Sequence, residues 1–457
     1  MIERKRAKRF TRREFMKAGA VVAGGAVAVP VVLRHGPTWA AAAGGPLVGA
    51  IPEALLKGGM PTPKFIGEIR VGSIFPRSGI VGFLGEDSWR GAELAARVIN
   101  AKGGINGKEV KLSVSDAPDA TAAVSEAERL ISKEKLTVIT GTHISVLCYP
   151  TSEVTERNGV VLWEEGAMAD NLTERGYKYL FRFTWRTSDA ALQTVQLSKE
   201  VIAPMLKIPV NQLKVAMIHE DSQYGSQMGK YVEKFAKEAG MPLLANEAYS
   251  MKTVDLSSLV LKLKSLNLDV LIACSFSPDA LLFWKQAREL DLNLKALVGM
   301  GGGHTDRNFY KAFGAGANGV FSVDLPQYDQ NPKAAPGITE FMQLYRKTYN
   351  EEMRGPYSLQ SFAGISALWD VLARAGSTNP EAVRKAAMET DIPLGQTPIG
   401  WGVKFAPPSD PSQGTNTRVY GTVAQWQEGG KFVTVWPKAA AAGEIKYVPL
   451  AKWSERR

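Results

Sequence analysis

Residues 138–170, VITGTHISVLCYPTSEVTERNGVVLWEEGAMAD, constrain the fold of this chain more than any other stretch. Val138, Ile139 and Thr140 form a short β-branched run, and the segment from Gly141 to Ser145 breaks it. Ser145 stands where a helix N-cap belongs, a helix follows over residues 149–157, and Asn158-Gly159 ends it. Residues 160–163 make the next strand and residues 164–170 its loop. Two neighbouring strands of a parallel sheet therefore empty their loops onto one edge, beside a helix N-terminus. Open α/β sheets bind small ligands at that edge, outside the carboxyl ends of the strands. Free N–H groups at the helix start favour an anion there, so this stretch reads as half of a binding cleft.

The same grammar continues in both directions. Strands are expected over residues 68–75, 110–116 and 179–185, with helices over 87–101 and 121–135. A second run follows: helix 190–205, strand 214–219, helix 225–239, strand 243–249, helix 256–266, strand 270–274, helix 280–290 and strand 296–298. After a strand at 319–325 come helices at 338–349, 357–375 and 380–387, then short β runs over 400–436 around a polar loop at 407–418. Alternation of this kind marks a doubly wound α/β fold with parallel-type sheets. Its grammar repeats without sequence repetition, so two similar lobes are expected rather than a solenoid. At 457 residues the chain has the length for two lobes plus tails.

Net charge is +10, which on its face suggests nucleic acid. Residues 1–43 carry nine Lys/Arg against Glu3 and Glu14, a local +7 that leaves +3 for everything else. The remainder shows no basic stripe interleaved with aromatics, which argues against a nucleic-acid partner. Thr11-Arg12-Arg13-Glu14-Phe15-Met16-Lys17 precedes an apolar, small-residue run at 18–33 and then Ala40-Ala41-Ala42-Ala43. That order is an export signal of the twin-arginine type, and it implies the twin-arginine export machinery as a partner and a periplasmic or extracellular mature protein. The alternative is an uncleaved membrane anchor, but the run is short for a bilayer span of roughly 20 residues. Residues 44–67, rich in Pro and Gly, read as a linker or N-terminal arm, and the alanine-rich 439–457 as a tail in which the pattern specifies no element. Cys148 and Cys274 would suit one disulfide in an oxidising compartment; two buried free thiols are the favoured reading.

Few motifs carry chemistry. Gly299-Met300-Gly301-Gly302-Gly303-His304 follows a strand, but the GxGxxG spacing fails at His304, and a mobile cleft loop is the better reading. His219-Glu220 lacks the second histidine of a zinc motif, and with four histidines in the chain neither a metal nor another cofactor is expected. Glu164-Glu165 has the form of a catalytic carboxylate pair; we favour instead one residue facing the cleft and the other solvated. Ser145 either caps its helix or meets a ligand oxygen. Tyr224, directly after a strand and before a helix, is placed to line a cleft. Trp163, Trp185 and Phe276 sit at similar strand ends, with core packing as the alternative. No nucleophile–base or metal constellation appears, so the chain does not read as an enzyme.

With these residues in view, the chain resembles the leucine/isoleucine/valine-binding family of type I periplasmic binding proteins over roughly residues 69–436. The stretches that carry the resemblance are Ser78-Gly79, Gly85-Glu86-Asp87, Gly91-Ala92-Glu93, Ile99-Asn100-Ala101-Lys102-Gly103-Gly104-Ile105, Leu172-Thr173-Glu174-Arg175-Gly176-Tyr177, Tyr224-Gly225 and Tyr328-Asp329-Gln330. It implies two Rossmann-like lobes joined by three hinge crossings, placed near residues 185–188, 322–326 and 420–424. Lobe 1 would take residues 68–186 and 323–421, lobe 2 residues 187–322 and 422–437, with a tail from 438. The implied function is capture of a small solute and its delivery to the permease and ATPase of an ABC importer. A sensing subunit of a signalling system is the alternative.

The resemblance also assigns site residues. Ser145 matches the serine that holds an amino acid's carboxylate, Gly166 (with Ala167 beside it) a small residue offering backbone groups to it, and Tyr224 a cleft tyrosine. The departures are more informative. Met168 replaces a carboxylate-binding threonine, Phe276 a tyrosine near the ammonium, Leu84 another cleft tyrosine, and Gly301 the glutamate that pairs with the ammonium. Burying an ammonium without its carboxylate costs several kcal/mol. The expected ligand is therefore an apolar or aromatic carboxylate or amide, walled by Phe83, Leu84, Trp163, Met168, Trp185 and Phe276. Glu164, Glu165 or Asp324 would have to supply a substitute acid for an amino acid to bind.

Overall fold

The computed structural model describes residues 48–59, 61 and 63–456. The segment expected to be an export signal, and the first residues of the expected linker, lie outside the described residues. Two sheets organise the chain. The first has β1 (Glu68–Phe75), β2 (Glu109–Asp116), β3 (Val138–Gly141), β4 (Val161–Glu164) and β5 (Leu180–Arg182) in the order β2-β1-β3-β4-β5. Every pairing in it is parallel. Strands β3 and β4 are buried along their whole length, as central parallel strands must be when helices cover both faces. Ile74, Leu130, Ile139, Leu147 and Leu162 belong to the core of this lobe.

The second sheet holds β6 (Val215–Glu220), β7 (Leu243–Tyr249), β8 (Val270–Cys274), β9 (Ala296–Met300), β10 (Phe321–Asp324), β11 (Thr422–Gln427) and β12 (Lys431–Trp436). Its order is β12-β11-β10-β9-β8-β6-β7. It is parallel except at one edge, where β11 runs antiparallel to both β10 and β12. Only the short turn through Gly429 and Gly430, both at positive φ, joins β11 to β12, and a connection of that length cannot make a parallel crossover. A separate core containing Ile218, Leu271, Leu297, Phe283 and Trp426 serves this lobe.

Helix Tyr357–Ala375 follows β10 in the chain yet returns to pack against helix Gly82–Ala101 of the first lobe. The approach is backbone-close at Gly91, where a Cβ would stand 2.1 Å from the carbonyl oxygen of Ser358. Buried Asp87 accepts the Ser358 N–H at 3.0 Å, a cap supplied by a neighbouring helix. Around the expected crossings, Gln193 Nε2 donates to the Gly421 carbonyl at 2.8 Å, and Thr422 Oγ1 to that of Leu325 at 3.1 Å.

The described parts of the N-terminal linker and of the C-terminal tail are packed. Glu53–Lys57 is a short helix whose Leu56 carbonyl accepts from Lys347 Nζ at 3.1 Å. At the other end the Trp453 ring lies 4.7 Å from that of Trp284, and Leu450 is buried. Helix Arg307–Phe313 was not anticipated; Asp306 caps it by accepting the Asn308 N–H. Among the described residues no helix is long and apolar enough to cross a membrane.

Candidate functional site

The carboxyl ends of strands from both sheets open onto one cleft. Residues 143–146, Gly166 and Met168 reach it from β3 and β4, and Leu84 from the helix after β1. From the second sheet come Ser222, Tyr224, Met251, Phe276, Gly301, Asp324 and Leu325, and helix Tyr357–Ala375 adds Tyr357 and Gln360. Among the described residues no Lys or Arg lines it, and Asp324 is its one carboxylate.

Seven residues expected at the site from sequence meet here: Leu84, Ser145, Gly166, Met168, Tyr224, Phe276 and Gly301. Three do not. Trp163 is fully buried behind the cleft, with Nε1 donating to the Gly364 carbonyl at 2.9 Å and its ring 5.2 Å from Phe405. Trp185, 2% exposed, packs instead against Gly421 in the region of the expected crossings. Ala167 is buried and its N–H is taken by Glu164 Oε1 at 2.9 Å. Phe83 stands outside the main cleft, edge-on to Tyr357.

Both glutamates depart from the expected split between cleft and solvent, because each is completely buried. Glu164 ends β4, and its carboxylate accepts from the backbone N–H groups of Thr142, His143, Gly166 and Ala167 and from Thr142 Oγ1, at 2.7–3.0 Å. It ties the loops after β3 and β4 together rather than facing a ligand. Burial raises its pKa while these donors pull the other way. Glu165 accepts from Thr140 Oγ1, and burial drives its pKa well up. The far side of the second loop is fixed by Arg182, which donates to the carbonyls of Met168 and Ala169 and to Thr173 and Thr415.

Ser145 does not cap its helix. The helix runs Ser145–Arg157 with Ile144 as the N-cap residue, four residues earlier than the sequence suggested, and Pro150 falls inside it. Ser145 Oγ accepts the Ala169 N–H at 3.0 Å, which leaves its hydroxyl proton available to donate. The glycine loop after β9 is not a free one: residues 302–306 are buried, and a Cβ at Gly299 would meet the His304 ring at 2.3 Å. Cys148 and Cys274 are both buried and free; burial, then the nearby carboxylates Glu164 and Glu220, push their thiols well up.

Sequence reasoning missed His143, Tyr357 and Gln360. His143 sits at φ +69° with its Nδ1 2.8 Å from Ser88 Oγ, and its ring is edge-on to Tyr357 at 5.3 Å. Tyr357 donates its hydroxyl to Asp324 at 3.0 Å, and Thr305 Oγ1 does so at 2.9 Å. Gln360 Nε2 donates to the Glu165 carbonyl and to Thr184 Oγ1, both at 2.8 Å, and its Oε1 is left without a partner. The available signal was polar residues in the first turn of an otherwise apolar helix.

Comparison with known proteins agrees with this geometry. The model of the family "Periplasmic binding protein" matches residues 68–431. Leu/Ile/Val-binding protein homolog 7 of Brucella suis biovar 1 (strain 1330) is 38% identical over 394 residues, 86% of this chain and 96% of the relative. Among solved structures, the leucine-binding protein LivK of Thermotoga maritima superposes with a TM-score of 0.69 at 19% identity, covering 80% of this chain and 98% of that one. A Rhodopseudomonas palustris ABC-transporter solute-binding protein in complex with 4-hydroxybenzoate gives 0.69 at 18% identity, with 84% and 99% covered. The chain belongs to the periplasmic binding protein family, and it is a substrate-binding protein rather than an enzyme.

Proposed function

We propose that this protein captures a small apolar or aromatic carboxylate or amide, without an α-ammonium group, between its two lobes. It then hands the solute to the permease and ATPase of an ABC importer, hinging at the three crossings. The family carries the coarser part of this reading, a periplasmic binding protein of the ABC-transporter type.

The observation that carries the finer part is Gly301. It lines the cleft where the resemblance puts an ammonium-pairing glutamate, and its φ is +80°. A Cβ there would stand 2.9 Å from the Ser275 carbonyl oxygen, so the local backbone is shaped for a residue without a side chain. Met168 and Phe276 extend the apolar wall in place of hydroxyl groups. Leu84, Met251 and Leu325 add to it, which suits a hydrocarbon or ring. For the acidic end, Ser145 and the start of its helix supply donors with no cation needed. Of the solved neighbours, the Rhodopseudomonas protein shows that this fold accommodates such a ligand.

Asp324 favours a second reading, an amino-acid ligand, since it is the carboxylate in the lining. Its oxygens already receive Leu325 N–H, Thr305 Oγ1 and Tyr357 Oη, which lessens its capacity for an ammonium. A thermal-shift panel on the chain from about residue 44 separates the two. Ligand at 100 times its dissociation constant adds about 2.7 kcal/mol to stability. The panel spans aliphatic and acidic amino acids, aromatic and aliphatic carboxylates, amides and urea. Stabilisation by carboxylates or amides without an amino group is expected; stabilisation by leucine at micromolar concentration would overturn the proposal.

A further inference from the structure

The ring of His143 lines the cleft although the residue is only 5% exposed. Its Nδ1 is turned to Ser88 Oγ, on the helix behind, at 2.8 Å. The Nδ1–Cε1 edge lies over Gly166, where a Cβ would stand 2.4 Å from Nδ1 and 2.5 Å from Cε1. Gly166 is thus small because the imidazole occupies the space a side chain would need, and its own N–H is committed to Glu164. The Nε2 edge is the one left toward the cleft, and among the described residues no protein group pairs with Nε2.

Ser88 fixes which nitrogen carries the proton. Its hydroxyl is fully buried, and His143 Nδ1 is its hydrogen-bond partner. A proton on Nδ1 would make that nitrogen a donor and leave the serine proton buried without an acceptor. With Ser88 donating to Nδ1, both groups are satisfied and the imidazole proton sits on Nε2. Burial holds the imidazole pKa down to about 3, so the ring stays neutral across the working range of a periplasmic protein.

We propose that His143 is a specificity-determining residue, offering a neutral Nε2–H donor to an acceptor oxygen of the bound solute beside Ser145. This rests on the reading of the cleft as a site for small carboxylates or amides. An N–H donor in an apolar cleft attracts a carboxylate or carbonyl oxygen and is mismatched with an ammonium, whose protons it opposes. It lets an anion bind with no Lys or Arg in the lining. Asp324 lies on the other side of Tyr357, whose ring contacts His143 and whose hydroxyl contacts Asp324, so the cleft has a donor end and an acceptor end. A solute with an acceptor oxygen at one end and a hydroxyl at the other matches that polarity.

Two measurements test it. Nitrogen-resolved NMR of the imidazoles in the ligand-free mature chain, with His143→Gln to assign the signal, should show Nε2 protonated and Nδ1 bare; the reverse pattern overturns the proposal. Calorimetric titrations then use 4-hydroxybenzoate and leucine against the parent, His143→Leu and His143→Gln. His143→Leu should weaken the probe that the parent binds by roughly tenfold to a hundredfold, the loss expected for a hydrogen bond to a charged group. His143→Gln keeps an N–H and should recover part of that loss, and unfolding midpoints without ligand separate lost binding from lost fold. Unchanged affinity in His143→Leu overturns the proposal. A parent that binds leucine but not 4-hydroxybenzoate sinks the ligand reading instead, and the leucine affinity of His143→Leu then decides the role of His143. If the parent binds neither probe, the NMR pattern decides it.

Discussion

Glu164 shows how a residue that looks catalytic in sequence becomes a fastener in three dimensions. Its place at the end of β4, one residue further than the apolar run suggested, points the carboxylate between two loops whose N–H groups have no other acceptor. Replacing it with Gln puts an amide donor where a carboxylate oxygen now accepts from Thr142 N–H and Oγ1. Glu164→Gln should therefore lose about 1–3 kcal/mol in urea unfolding, the usual cost of a buried group left unpaired. A stability equal to the parent's would show that the loops are held by something else. At this scale Ser145 and Tyr224 were legible because each stands at a strand–helix junction, and Gly301 through the family resemblance. Trp163 and Trp185 were not. Alternation tells which residues sit at strand ends, but not whether a neighbouring helix covers the ring; here Trp163 donates to the Gly364 carbonyl, and Gly421 leaves the space that the Trp185 ring fills.

Elements were legible where period and punctuation agreed. Strands β1, β7 and β8 and the helices at 338–349 and 357–375 fall where the pattern put them, bounded by turn residues. Errors gathered where a tertiary partner replaces a local signal. Helix Ser145–Arg157 starts early, with Ile144 as its N-cap residue and the Ser145 hydroxyl turned to Ala169 instead. Gly91→Ala tests the packing of helix Tyr357–Ala375 on helix Gly82–Ala101 with two effects of opposite sign. Alanine favours an isolated helix by about 1 kcal/mol. Its Cβ would, however, meet the backbone of Ser358 at 2.1 Å and of Phe362 at 2.9 Å, and backbone cannot swing aside. Overpacking costs about 1–3 kcal/mol, so a net loss is expected on thermal unfolding, and a gain would show that the helices have room to separate. Glu220, at the end of β6 under the loop that carries Tyr224, gives a pH prediction. Burial pushes its pKa up to about 7 against an ordinary value of 4.5. The folded state thus holds the proton more tightly than the unfolded chain. The stability so gained is present below about 4.5 and is lost as pH rises through 7. Glu220→Gln should accordingly lose less stability between pH 5 and pH 8 than the parent does; a steeper loss would contradict the assignment.

The whole molecule was legible as α/β with two lobes, since strand–helix alternation over this length allows little else. Its ligand was not, because it depends on which side chains from distant stretches meet in one cleft. His143, Tyr357 and Asp324 lie 214 and 33 residues apart in sequence yet form one polar strip in an apolar site. The central claim is that this cleft takes carboxylates or amides and has no place for an α-ammonium. Calorimetric titration of the chain from about residue 44 with 4-hydroxybenzoate and with leucine, side by side, tests it most directly. Saturable binding of the aromatic acid with a negative heat-capacity change, and no heat from leucine, is the result expected of apolar burial without an ammonium site. Leucine binding at micromolar affinity or tighter, with the aromatic acid silent, would contradict it and make Asp324 the acid that holds an amino acid.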